Sequence, residues 1–127
     1  FEMADDEVEI GVGIHGEPGR RRVKIATADE IVDELLNAIV PDLPFADGDE
    51  VALMVNGLGG TPISELYILN GSAHTRLAEK GITVSRSYVG EYCTALDMIG
   101  MSLTLVKLDD EIKELLAAPA EIAARIF

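Results

Sequence analysis

Of the two histidines and one cysteine in this chain of 127 residues, His15 is the one placed for chemistry. It lies within Val12-Gly13-Ile14-His15-Gly16-Glu17-Pro18-Gly19, at the end of a segment that alternates strictly. Val8, Ile10, Val12 and Ile14 share one phase; Glu7, Glu9, Gly11 and Gly13 share the other, which His15 continues. A period of two marks a strand with one face on a core, so a strand is predicted over Glu7–Ile14 with His15 at its end. Glycine weakens a strand and marks a place where something must approach the backbone closely. An imidazole there is both exposed and held, on a face cleared of side chains. Mostly neutral near pH 7, it can attack a carbonyl, accept a proton or bind a metal. Metal binding has little support: the other histidine, His74, falls in a predicted helix, and no Cys or His spacing fits a site.

Other motifs carry less. Gly57-Leu58-Gly59-Gly60-Thr61-Pro62 joins a predicted strand to a helix N-terminus, where free N–H groups can hold an anion. It lacks both the Gly-x-Gly-x-x-Gly spacing and a P-loop lysine, so a tight strand-to-helix turn is the better reading. His74 and Asn70 lie one turn apart within the Ile63, Leu66, Tyr67, Leu77 stripe and fit a satisfied, half-buried pair. Arg20-Arg21-Arg22, the basic cluster of an acidic chain, fits a solvated loop run. Cys93 has no basic neighbour in sequence to lower its pKa and is expected to pack.

The elements that must position His15 follow from spacing. Thr27 with Glu30 forms a capping box ahead of the stripe Ile31, Val32, Leu35, Leu36, Ile39, which ends before Pro41. Val51–Asn56 is an apolar run without alternation, as for a central strand. Thr61 as N-cap and Pro62 at the first helical position open a helix to about Lys80, stopped by Gly81. Strands follow at 82–89 and 101–108, with a turn of helix or a loop over Gly90–Gly100 between them, and Asp109, Asp110 and Glu111 open a last short helix closed by Pro119. The order β-α-β-α-β-β-α predicts a two-layer α/β domain with a mixed β-sheet, a single domain over 1–127.

Composition narrows the function classes. Acidic residues outnumber basic ones 23 to 10, for a net charge of −13. A field of that sign repels phosphate backbones and anionic lipid, so neither nucleic acid nor membrane is an expected partner. Apolar runs fall far short of the ~20 residues of a membrane span. One cysteine cannot pair within the chain, which fits a cytoplasmic location. There is no charged-then-apolar leader, and a start at Phe1 in an acidic stretch suits a piece of something longer.

The blocks Val12–Gly19, Leu53–Pro62 with Ser64–Tyr67, Gly90–Met98, and Ser102–Leu105 with Lys107–Glu111 together resemble, in order, the dihydroxyacetone kinase K domain. The resemblance implies the C-terminal of two α/β lobes. It implies that His15 binds the C2 carbonyl of dihydroxyacetone covalently, as a hemiaminal, with Gly13 beside it, so that short ketones and aldehydes are selected over glycerol. The acid/base pair would belong to an N-terminal lobe absent from this chain. The domain itself would bind no cofactor: the phosphoryl donor, ATP-Mg or phosphotransferase-system-linked ADP/ATP, would sit on a nucleotide-binding L-type subunit or domain. A homodimer is implied as well, and catalysis by this chain alone is not. A hemiaminal needs a free ring nitrogen, room for three carbons and a fixed tautomer. Gly11 and Gly13 offer the room, and Glu17 is the nearest partner in sequence for the other nitrogen. The alternative is a non-catalytic paralogue that keeps His15 and acts as a dihydroxyacetone-sensing co-regulator. A third possibility keeps the fold for another small carbonyl compound or lipid.

Overall fold

The computed structural model describes residues 3–96 and 98–121. Strand β1, Glu7–Ile10, pairs antiparallel with β2, Arg21–Lys24, as a separate two-stranded hairpin. Helix α1, Ala28–Ile39, and a short 3-10 turn lead to β3, Glu50–Gly57; helix α2, Ile63–Glu79, then leads to β4, Thr83–Gly90. Strand β5, Met101–Leu108, and helix α3, Asp110–Ala117, follow. The main sheet runs β4-β3-β5, with β3 parallel to β4 and antiparallel to β5. This is the expected mixed α/β architecture, with β3 central.

Val51, Leu53 and Val55 on β3 meet Leu66, Leu69, Ala73 and Leu77 of α2, and α1 adds Val32 and Leu36 to the same core. Both Thr27–Glu30 bonds of the capping box form. Asp109 caps α3 by accepting from the Ile112 N–H. Pro41 falls in the 3-10 turn, as a residue that cannot prolong α1 must.

Three expectations need correcting. The predicted strand over Glu7–Ile14 stops at Ile10: Gly11 adopts φ +78°, which extended backbone cannot accommodate, and Arg20 N–H closes the hairpin on the Ile10 carbonyl at 2.8 Å. Ile14 is consequently 39% exposed instead of buried. The arginine run is strand β2, and the hairpin it closes adds an element to the predicted order. Arg21 pairs with Glu34 of α1, and Arg22 with Glu9. Thr61 does not cap α2. Its hydroxyl donates to the Gly100 carbonyl and accepts the Gly100 N–H, at 2.8 and 2.9 Å, while Pro62 takes the N-cap position.

Asn56, at the end of β3 and 3% exposed, holds the loop between β4 and β5. Its Oδ1 accepts the N–H groups of Tyr92 and Cys93 at 2.8 Å, and its Nδ2 donates to the Cys93 carbonyl and to Ser102 Oγ. Removing one buried side chain that satisfies two N–H groups strands both. Asn56→Ala is therefore expected to lower unfolding stability by roughly 2–4 kcal/mol in urea denaturation. A loss below about 0.5 kcal/mol would show that water replaces the bonds freely.

Candidate functional site

The loop from Gly11 to Arg20 carries His15 and folds on itself through backbone bonds. Gly13 N–H donates to the Glu17 carbonyl and Gly16 N–H to the Gly13 carbonyl, each at 3.3 Å. This brings Glu17 back over His15. Its Oε2 accepts the His15 backbone N–H at 2.9 Å, and its Oε1 lies 3.3 Å from His15 Nδ1. The His15 side chain is 80% exposed. A carboxylate facing Nδ1 favours the tautomer protonated there and leaves Nε2 with the lone pair.

The glycines clear space for neighbours within the loop. A Cβ on Gly13 would lie 2.6 Å from Glu17 Cδ, and one on Gly11 would lie 3.1 Å from Arg20 Cγ. The room predicted beside Gly13 is thus occupied by Glu17, and the room beside Gly11 by the Arg20 stem. The concave surface lies alongside, a depression of about 130 Å³ lined by Glu9, Val12, Gly16, Glu17, Pro18 and Arg22. His15 is not among the residues that line it, so the depression adjoins the loop without enclosing the ring.

Glu17's own backbone N–H and that of His15 hold its carboxyl below the ordinary 4.5, with the His15 ring adding to the effect. A depressed carboxyl is fully charged above the ordinary range, and the bonds it makes are lost only as pH falls through the lowered value. The His15 amide proton resonance is therefore expected to titrate with a midpoint below 4.5, and Glu17→Gln should abolish that titration. A midpoint at or above 4.5 would mean that the bond does not persist in solution.

The remaining sequence candidates divide. In the glycine-rich turn, Leu58 N–H and Gly60 N–H are spent on the carbonyls of Gly100 and Met98, so packing against the 90–100 loop accounts for them. His74 Nε2 pairs with Ser87 Oγ at 2.7 Å, across α2 and β4. Asn70 Oδ1 is shut off from water without a hydrogen-bond partner among the described residues, contrary to the satisfied pair expected. Cys93 is exposed instead of packed, because Asn56 grips its backbone and leaves the thiol outside. Among the described residues no group of three His, Cys, Asp or Glu could hold a metal ion, and no helix is long and apolar enough to cross a membrane. Glu9, which the alternation places only on the open face of the strand, lies opposite Arg22 across the hairpin, a pairing that hydrophobic phase does not signal.

The Dak1 domain family matches residues 1–124. The chain is 46% identical over 121 residues to "PTS-dependent dihydroxyacetone kinase 2, dihydroxyacetone-binding subunit DhaK" of Listeria innocua, covering 95% of this chain and 37% of that protein. It thus spans little more than a third of that relative's length. Among solved structures it is similar to "Dihydroxyacetone kinase operon co-activator Dha-DhaQ", with TM-score 0.86 and 36% identity over 94% of this chain and 38% of the other. It is also similar to the dihydroxyacetone kinase from C. freundii in complex with AMP-PNP and Mg2+, with TM-score 0.73 and 27% identity over 99% of this chain and 25% of the other.

Proposed function

Because the chain belongs to the Dak1 domain family, we propose that it is the ketone-holding part of a dihydroxyacetone kinase, binding dihydroxyacetone covalently through His15. The observation that carries this reading is the exposed imidazole whose Nδ1 faces Glu17 at 3.3 Å. The Nε2 lone pair attacks C2 of the ketone, and the carbonyl electron pair moves onto oxygen, which takes a proton from water. The ring gives up its Nδ1 proton toward the Glu17 carboxylate and thence to solvent. The product is a neutral hemiaminal, and nothing leaves. A carbonyl carbon is required, so glycerol is rejected on chemical grounds and not by size. Gly13 serves by leaving the space in which Glu17 sits.

Phosphorylation to dihydroxyacetone phosphate asks for more. The accepting hydroxyl must be deprotonated and aligned with the donor, whose charge must be met by cations or backbone donors. We assign the acid/base pair to a further lobe of a longer protein, in keeping with the 37% of the Listeria relative that this chain covers. The nucleotide, ATP-Mg or phosphotransferase-linked ADP/ATP, belongs to an L-type subunit or domain, and the chain over 1–127 is a C-terminal lobe that does not catalyse alone. A cytoplasmic homodimer completes the reading. The likeness to the co-activator at TM-score 0.86 favours a second reading, a ketone sensor that keeps His15 and transfers no phosphate.

Native mass spectrometry of the chain with dihydroxyacetone tests the binding step. A mass increase by one whole ketone is expected, since addition expels no water, with no increase from glycerol. Equal occupancy by both would overturn it. Production of dihydroxyacetone phosphate once the longer protein and a nucleotide-binding partner are supplied separates kinase from sensor.

A further inference from the structure

Beyond its own backbone bonds, the loop that carries His15 is held by two carboxylates. Glu17 fixes the ring from inside the loop, and Glu9 fixes the loop from its stem. Glu9 lies on β1 directly opposite Arg22 of β2, and its side chain is only 10% exposed. Its Oε1 accepts the Gly19 N–H at 2.7 Å, and its Oε2 lies 3.2 Å from Arg22 Nε. Gly19 is bare for this reason: a Cβ there would run into Glu9 Cγ and lie 2.8 Å from the Ile10 carbonyl oxygen. One carboxylate therefore joins the outgoing strand, the returning leg of the loop and β2.

A buried carboxylate is costly unless paired and hydrogen-bonded, and Glu9 is both. The hairpin has four ladder pairs, among them the apolar Val8–Val23, whose pairing does not call for a carboxylate. What Glu9 adds is a fixed position for Gly19, two residues beyond Glu17. Displacement of Gly19 carries Glu17 with it, away from His15 Nδ1. Glu9, Glu17 and Arg22 all line the same depression.

We propose that Glu9 is a positioning residue for His15: it pins the return leg Gly19–Arg22 so that Glu17 stays on Nδ1 and Nε2 remains the free nitrogen. As a contribution to ketone capture this rests on the binding role given to His15 above. The arithmetic is that of a competent fraction. If loosening the leg leaves the ring correctly held one-tenth of the time, apparent affinity falls tenfold.

The test uses the whole chain as wild type, Glu9→Ala, Glu9→Gln, Glu9→Met and Gly19→Ala, with three measurements on each. These are the ring 15N shifts of His15, which report its tautomer, amide hydrogen exchange at Gly19, and adduct occupancy with dihydroxyacetone. In Glu9→Ala the Gly19 amide should exchange about tenfold faster, the tautomers should mix, and adduct occupancy below saturation should fall about tenfold. Glu9→Gln keeps both the bulk and an oxygen for Gly19 and should restore most of each, whereas Glu9→Met, the control that keeps the bulk without an acceptor, should not. Gly19→Ala, which displaces the carboxylate without deleting it, should repeat the Glu9→Ala pattern and serves if that variant fails to fold. Unchanged tautomers and occupancy in folded Glu9→Ala or Gly19→Ala overturn the proposal, as does a Gln variant no better than Ala. Should wild type form no adduct, the ketone reading falls, and the tautomers alone decide the role of Glu9: mixed in Ala and single in Gln supports it, unchanged overturns it.

Discussion

His15→Ala is expected to abolish covalent capture of dihydroxyacetone completely while leaving the fold intact. Loss is total because the variant removes the nucleophile itself; no neighbouring group in the loop replaces it. Gly13, Ile14 and Gly16 have no nucleophilic side chain, and Glu17 is a carboxylate whose addition to a ketone is readily reversed. The fold is spared because the ring is 80% exposed and the carboxylate it faces, Glu17, is itself 57% exposed, so little buried surface is lost. The measurement pairs adduct mass with urea unfolding. An adduct persisting in the variant would move the chemistry elsewhere, to His74 first. A large loss of stability would show that the ring is structural.

Gly13→Val should weaken ketone binding at least tenfold, with a smaller loss of stability. β-Branched residues favour extended backbone, and the φ of Gly13 lies outside the left-handed range, so backbone strain is not the cause. The cause is collision. A Cβ at residue 13 lies 2.6 Å from Glu17 Cδ, so the carboxylate must leave its place over His15. Expelling Glu17 frees both the ring and the His15 backbone N–H that it accepts at 2.9 Å. If the ring is correctly held about one-tenth of the time once Glu17 leaves, apparent affinity falls about tenfold. Isothermal titration with dihydroxyacetone, alongside the His15 ring 15N shifts, reads both consequences. Full affinity in Gly13→Val would mean that Glu17 is not required where it stands.

The two positions also show what the sequence could and could not reveal. Apolar stripes located both main helices, and an unbroken apolar run located β3, because each packs on one core. Hydrophobic pattern failed at the hairpin. The alternation runs on through Val12 and Ile14, but the backbone turns at Gly11, and a glycine's φ has no signature in hydrophobic phase. The same failure hid β2, whose Arg21–Lys24 carries a single apolar side chain, Val23, and so lacks a hydrophobic pattern. His15 and its link to Glu17 were legible, because two residues' separation in a Gly-Pro turn leaves few other partners. Glu9 and Asn56 were not. Their roles depend on Gly19 and Arg22 in one case and on the loop at Tyr92–Cys93 in the other, ten or more residues away in sequence. The apolar setting of Asn56, after Val51–Val55, was the one available hint that a buried amide must have partners to satisfy it.

The central claim is a bond between a histidine nitrogen and a ketone carbon, and it can be observed directly. The chain, labelled with 15N in its two histidines, is mixed with dihydroxyacetone labelled with 13C at C2, and the carbon spectrum is recorded. A resonance in the tetrahedral range, split by one-bond coupling to 15N, should be present with wild type and absent with His15→Ala although His74 remains. Free ketone and its hydrate alone at high ligand concentration, or a coupled signal surviving in His15→Ala, would contradict it.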